Sequence, residues 1–155
     1  MISIKRTNTE NPDFLSLIEL LDKDLWNRYP ETQQNFVAFN VVKLNAMAIV
    51  AYDGDSAVGC GCFRVTENES IVEIKRMYVK EEVRGTGIAK SIVSELEVWA
   101  LEEGKISAVL ETGINQPEAI ALYKKLGYEQ IANYEPYVNN KESICMGKDL
   151  SKKYS

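Results

Sequence analysis

From Val79 to Lys90 the chain reads Val79-Lys80-Glu81-Glu82-Val83-Arg84-Gly85-Thr86-Gly87-Ile88-Ala89-Lys90, an apolar strand end that passes through a glycine-bearing loop into a helical pattern. Such a junction suits an anion. Glycines let successive backbone N–H groups curl toward one point, and the helix start adds partial positive charge, so main chain alone can hold a phosphate or pyrophosphate. Arg84 and Lys90 can add charge-assisted contacts. Glycines at a strand-to-helix junction also serve simply as turn residues, and on the loop alone both readings stand. Two nucleotide signatures are absent: there is no P-loop Gly-Lys-Ser/Thr and no Gly-x-Gly-x-x-Gly.

The composition narrows the chemistry further. The 155 residues contain no histidine, which removes Ser-His-Asp and Cys-His nucleophile systems, imidazole-based zinc sites and the usual neutral-pH base. Acid–base work is left to carboxylates, tyrosine, lysine, cysteine or water. The three cysteines have no zinc spacing, so no metal site is expected. Cys60 and Cys62 would share one face of a strand and Cys145 lies far away; buried small hydrophobes in a reducing compartment is one reading, a reactive thiol the other. A formal net charge of −5 argues against nucleic acid and leans toward a cationic or amine-bearing partner. The polar Met1 to Glu10 segment is no signal peptide, and no apolar run approaches the roughly 20 residues of a membrane span. A cytoplasmic protein without membrane contact is expected. At this length a chain buries about 70% of its unfolded surface, so one domain over residues 1–155 needs no staple.

The elements that must position these residues follow from periodicity. Ile2 to Thr7 alternates as a strand. Asn11 or Asp13 offers a cap beside Pro12, and Phe14, Leu17, Ile18, Leu21 and Leu25 recur at helical spacing until about Trp26, before the Tyr29-Pro30 break. Glu31 to Lys43 is ambiguous, with a second short helix around Phe36 to Val41 as one possibility. Ala46 to Tyr52 and Ala57 to Val65 form a hairpin about Asp53-Gly54-Asp55-Ser56. Ile71 to Val79 is a third sheet segment, with Glu73, Lys75 and Arg76 interrupting its apolar run. Ile88, Ile92, Val93, Leu96, Trp99 and Ala100 make one helical stripe within Gly87 to Glu103, stopped by Gly104. A strand at Ile106 to Leu110, a helix from Pro117 to Leu126 stopped by Gly127, and strands at Tyr128 to Tyr134 and Ser143 to Lys148 complete an α/β order without repeats or linkers.

Arg84, Gly87 and Ala89 occupy the positions of an Arg/Gln-x-x-Gly-x-Gly/Ala signature, and the chain here resembles the GNAT superfamily of acyl-CoA dependent N-acetyltransferases. Lys75-Arg76-Met77-Tyr78-Val79 is similar to the family's fourth strand, whose bulge exposes backbone to the pantetheine arm. Ala119-Ile120-Ala121-Leu122-Tyr123-Lys124-Lys125-Leu126-Gly127-Tyr128 is similar to its Ala-x-x-Leu-Tyr-x-x-x-Gly-Phe/Tyr segment. The three segments run in family order over Ile71 to Tyr134. The resemblance implies an α+β domain with a mostly antiparallel central sheet of about six or seven strands, helices on both faces and a parallel strand pair splayed at the cofactor site. It implies acetyl-CoA as cofactor, held by the backbone of Met77, Tyr78 and Val79 and by Arg84, Gly85, Thr86, Gly87, Ile88, Ala89 and Lys90. Where many members carry Asn three residues before the helix alanine this chain has Gln116, preceded by Asn115, which leaves open which amide contacts the cofactor.

The same resemblance implies acetyl transfer to a primary amine by direct attack in a ternary complex, with Tyr123 protonating the departing thiolate. The competing reading of Tyr123 is a packed helix-face residue. Glu73 matches the general base of the histone acetyltransferase branch; an ion pair with Lys75 or Arg76 is its structural alternative, and Glu111 or a water are the other bases. The acceptor side falls on Trp26 and Tyr29 and on Tyr134 and Tyr137, aromatics that either line a pocket or act as packing lids. A small molecule or a protein amine both fit, in a monomer or homodimer. A non-catalytic acyl-CoA-binding or protein-interaction module on the same fold is the rival.

Overall fold

Gly54 adopts φ 60 and reverses the chain between β2 (Met47–Asp53) and β3 (Ser56–Val65), so the Asp-Gly turn delivers the expected hairpin. The computed structural model describes residues 1–28 and 46–151. Around the hairpin lie β1 (Ile2–Asn8), α1 (Pro12–Arg28), β4 (Ile71–Val79), α2 (Ile88–Glu102), β5 (Ser107–Gly113), α3 (Pro117–Lys125), β6 (Glu129–Ile131) and β7 (Ser143–Asp149). The seven strands follow the order β1-β2-β3-β4-β5-β7-β6. All neighbouring pairs with an assigned direction are antiparallel except β4 with β5, which is parallel. The short helix considered at Phe36 to Val41 lies outside the described residues.

The chain divides into two compact units, residues 1–64 with 75–96 and residues 65–74 with 97–155. In the first, Asn11 caps α1 as its residue type predicts: Oδ1 accepts from the Asp13 and Phe14 N–H groups at 2.8 and 3.2 Å. Strand pairing sets Ala48 opposite Cys62 and Val50 opposite Cys60, and these four join Phe14, Leu17, Ile18, Leu21 and Leu25 of α1 in one buried cluster. The alternate pairs, Ile49 with Gly61 and Ala51 with Gly59, point to the opposite face. There α2 approaches closely: a Cβ on Gly59 would meet Ile92 and Ile88 at 3.1 and 3.2 Å. One on Gly61 would overlap Met77 Sδ and meet Ile92 and Leu96 at 3.1 and 3.2 Å. Helices therefore cover both faces of this unit's strands.

In the second unit, Ile71–Ile74 of β4 run parallel to Ser107–Leu110 of β5, and β7 pairs antiparallel with all of β5. The last hairpin departs from expectation. β6 is confined to Glu129–Ile131 rather than reaching from Tyr128 to Tyr134. At its start the Tyr128 N–H is taken by the Tyr123 carbonyl at 2.9 Å, closing α3. At its end Asn133 Nδ2 donates to the carbonyls of Tyr137, Asn140 and Ser143, which pulls the chain out of the ladder into a loop. Glu97 is 1% exposed and both its oxygens lie 3.0 Å from Lys148 Nζ, while Tyr128 Oη donates to Oε2 at 2.8 Å.

All three cysteines are buried free thiols. Burial pushes the Cys60 thiol well above its ordinary range, with its neighbour Cys62 adding to the effect. Burial also pushes Cys145 up to about 11. The hydrophobe reading of the cysteines therefore holds, since a thiolate is the reactive form. Two outcomes follow. Native protein at pH 8 should leave Ellman's reagent unreacted on the minute scale while urea-unfolded protein releases colour from all three thiols, and fast native labelling would contradict the burial. Gly61→Val should lower unfolding free energy by ~1–3 kcal/mol in urea titration, because a branched side chain must displace Met77 and α2; an unchanged midpoint would show that the close approach is dispensable.

Candidate functional site

The sequence-predicted residues fall into two groups, each within one unit. The first is the end of β4 and the loop that follows. Arg76 sits at φ 59, a left-handed conformation that a β-strand residue adopts only at a bulge or under constraint. Its Nη1 donates to Asp22 Oδ1 of α1 at 2.5 Å, and its Nε is buried without a hydrogen-bond partner. The thiols of Cys60 and Cys62 donate to the carbonyls of Arg76 and Lys75 at 3.5 and 3.4 Å. The strand thus departs from regular extended backbone at Arg76, one residue before Met77, in the segment where the resemblance implies a bulge.

Past Val79 the chain makes a single 3₁₀ turn, Glu81–Val83, and then the loop. Arg84 Nε donates to the Val79 carbonyl at 2.8 Å and its guanidinium lies 5.6 Å from the centre of the Tyr78 ring, so this side chain braces the loop. Burial raises the Tyr78 phenol, with Arg84 opposing the shift. Gly85 and Gly87 stand at φ 82 and 87 with open space where a Cβ would go; the requirement for glycine here is conformational. The helical ladder of α2 opens with Ser91 N–H on the Gly87 carbonyl at 3.0 Å. Ile88, Ala89 and Lys90 accordingly present N–H groups that have no intrahelical acceptor, on a loop whose residues 84–87 are exposed. This geometry fits a pyrophosphate.

The second group lies in the other unit. Glu73 is in register with Val109, and Glu111 two residues further along β5 faces Cys145 across the ladder, so both carboxylates belong to one face of the sheet. Glu73 is 1% exposed, and its Oε2 accepts from Tyr134 Oη at 2.8 Å. Glu111 Oε2 accepts from Ser143 Oγ at 2.6 Å. Tyr134 and the buried Tyr137 meet edge to face at 5.5 Å. Burial raises the Tyr134 phenol far above its ordinary value, and the charge of Glu73 and its hydrogen bond add to that.

Tyr123, at 6% exposure on α3, packs its ring against Tyr128 at 5.9 Å. Burial raises its phenol, the Glu111 charge adding a smaller part, so it keeps its proton throughout the physiological range. Gln116 occupies the α3 N-cap position, and its Oε1 accepts from Gly113 N–H at 3.2 Å; Asn115 is exposed. Trp26 lies in α1 with its side chain outside the described set, and Tyr29 lies outside the described residues. Ser143 and Asn133 were invisible to spacing, because a serine and an asparagine in a polar loop carry no signal until the strands set their partners. Among the described residues no group of three or more acidic or cysteine side chains could hold a metal ion, and no helix is long and apolar enough to cross a membrane.

Comparison with known proteins places this arrangement. The Acetyltransferase (GNAT) family model matches residues 11–128. The chain is 30% identical over 150 residues to the IAA acetyltransferase of Azospirillum brasilense, a match spanning 96% of this chain and 98% of the relative. The structure of a candidate acyl-CoA N-acyltransferase from Klebsiella pneumoniae subsp. pneumoniae MGH 78578 is similar with TM-score 0.80 at 30% identity, covering 97% of this chain and 98% of that one. PaiA N-acetyltransferase from Thermoplasma acidophilum, solved in complex with coenzyme A, shares the fold with TM-score 0.74 at 17% identity over 96% of this chain and 99% of that chain. The matched span contains β4 with its left-handed Arg76, the left-handed glycine loop and the α3 tyrosine, and on these grounds the chain belongs to the GNAT acetyltransferase family.

Proposed function

We propose that residues 1–155 form one acetyltransferase domain that binds acetyl-CoA and transfers its acetyl group to a primary amine in a ternary complex. The observation that carries the reading is the loop: exposed Gly85 and Gly87 in left-handed conformation deliver the chain to the N-terminus of α2, whose first N–H groups have no intrahelical acceptor. Those groups, with Gly85, Thr86 and the cation of Lys90, would hold the pyrophosphate, and the backbone after the left-handed Arg76, from Met77 to Val79, would pair with the pantetheine arm. PaiA, a fold neighbour, was solved with coenzyme A, which supports that ligand class. Bound acetyl-CoA supplies an acetyl group as a thioester.

The chain's own residues do the rest. Holding donor and acceptor together removes much of the entropic barrier of a two-reactant step. The N–H near Met77 would polarise the thioester oxygen. Tyr123 would protonate the departing sulfur, and its raised phenol keeps that proton in place until it is needed. Glu73, with Glu111 as the second candidate, would take the proton that the amine must lose. An overall negative charge favours a cationic amine, in keeping with an ammonium that arrives protonated.

The non-catalytic reading, an acyl-CoA-binding or interaction module, draws on one observation, the 6% exposure of Tyr123. One assay decides between them. Coenzyme A should raise the melting temperature, and acetyl-CoA with a panel of ethanolamine, spermidine, lysine and a tripeptide with a free N-terminus should release thiol in an amine-dependent way. A thermal shift without amine-dependent thiol for any of these would favour the binding module, and no shift would remove both readings. Tyr123→Phe should lower kcat by ~10²-fold with little change in coenzyme A affinity. Because the Tyr123 phenol titrates above its ordinary range, wild-type turnover should show no alkaline limb from it below pH 10. Wild-type kcat in the variant would make Tyr123 a packing residue.

A further inference from the structure

Glu73 is 1% exposed, so an acceptor amine has no open approach to its carboxylate. What reaches Oε2 is the Tyr134 hydroxyl, 2.8 Å away, on a half-buried ring. Tyr134 is itself fixed from several sides. Its carbonyl accepts the Tyr137 N–H at 2.6 Å, and its ring stands edge-on to Tyr137. The loop it sits on is tied by Asn133 Nδ2 to the carbonyls of Tyr137, Asn140 and Ser143. A phenol placed this way commits its hydrogen to Glu73 and keeps oxygen lone pairs to accept another. The hydroxyl thus joins a half-buried ring to a fully buried carboxylate.

We infer that Tyr134 is a catalytic residue that relays the proton of the acceptor ammonium to Glu73. The inference rests on the acetyltransferase reading and adds the route by which the amine becomes a nucleophile. In the step, an N–H bond of the ammonium breaks and its proton binds Tyr134 Oη. The Tyr134 O–H proton passes at the same time to Glu73 Oε2, leaving a neutral amine, an intact phenol and a neutral carboxylic acid. The amine then attacks the thioester. A second nitrogen proton replaces the one Tyr123 gives to the sulfur, and the proton on Glu73 returns to solvent as the site resets, so one proton is released per turnover. Burial and the Glu73 charge disfavour a free phenolate at Tyr134, in keeping with two transfers in one step. The groups that bear on this phenol are Glu73 from β4, Cys145 from β7 and Tyr137 from its own loop, and the Cys145 thiol, pushed up to about 11, is neutral where the enzyme would work.

The test compares wild type, Tyr134→Phe, Glu73→Gln and the double variant, with acetyl-CoA and each of ethanolamine, spermidine, lysine and the tripeptide, across pH 6 to 10. Tyr134→Phe keeps the ring, and an unchanged coenzyme A thermal shift reports that it is folded. The relay predicts a fall in kcat of ~10²-fold at pH 7 with KM for acetyl-CoA unchanged. The loss should shrink as pH rises toward the pKa of the amine, where the free base no longer has a proton to give up. The double variant should be no slower than Glu73→Gln alone. A Tyr134→Phe enzyme with the wild-type pH profile, or losses that multiply in the double variant, would overturn the relay while leaving acetyl transfer intact. Absence of amine-dependent turnover in wild type would overturn the acetyltransferase reading, and the relay with it.

Discussion

The left-handed backbone of Arg76, φ 59, inside a strand of otherwise regular sequence, is the constraint on which the rest depends. A non-glycine residue in that region costs roughly 1–3 kcal/mol, and here surrounding contacts hold it. Asp22 of α1 takes one guanidinium nitrogen, and two buried thiols donate to the carbonyls on either side of the kink. The four residues that precede Lys75 run in parallel register with β5. After the kink Met77 turns its sulfur toward Gly61, and the chain proceeds to the glycine loop and α2. The missing side chains at Gly59 and Gly61 are what let Ile88, Ile92 and Leu96 of α2 lie close against β3.

The absence of histidine places the acid–base burden on groups that do not titrate near neutrality when exposed. The second unit answers with burial and direct hydrogen bonds. Tyrosines 123 and 134 are held protonated by desolvation first and by neighbouring carboxylates second. Each carboxylate on the shared sheet face has a hydroxyl on it, Tyr134 on Glu73 and Ser143 on Glu111. Burying a carboxylate without a donor is strongly destabilising, so the Tyr134 hydroxyl on the 1% exposed Glu73 has a structural role as well as a chemical one.

Away from that face, Glu97, Lys148 and Tyr128 form a buried polar knot. Desolvating both charges offsets much of their attraction, so the pair adds little net stability over an apolar replacement, yet removing one member would strand the other. Lys148 also lies 5.4 Å from the centre of the Tyr128 ring, and Tyr128 abuts Tyr123. The packing of the α3 tyrosine is thereby joined to the end of α2 and to β7 within one unit.

Much of this was legible in the sequence because it depends on near neighbours along the chain. The Asp-Gly hairpin, the Asn11 cap, the stripe of α2 and the stop at Gly127 are written in residues a few positions apart, where backbone preference and a 3.6- or 2-residue period suffice. The Arg84-x-x-Gly87-x-Ala89 signature belongs to the same class, since its conformation is local. Strand register was not legible. It alone brings Glu73 and Glu111 to one face and sets Cys145 opposite Glu111. The partners of Glu73 and Glu97 lie 61 and 51 positions away, Tyr134 and Lys148, and no spacing rule connects them. β6 ends at Ile131 because Asn133 finds three carbonyls that exist only once the loop has closed. The sequence by itself determined most of the described elements, the glycine pattern of the loop and the family. The tertiary structure decided which hydroxyl meets which carboxylate and which tyrosines lose their water, because desolvation and long-range hydrogen bonds exist only after the strands have paired.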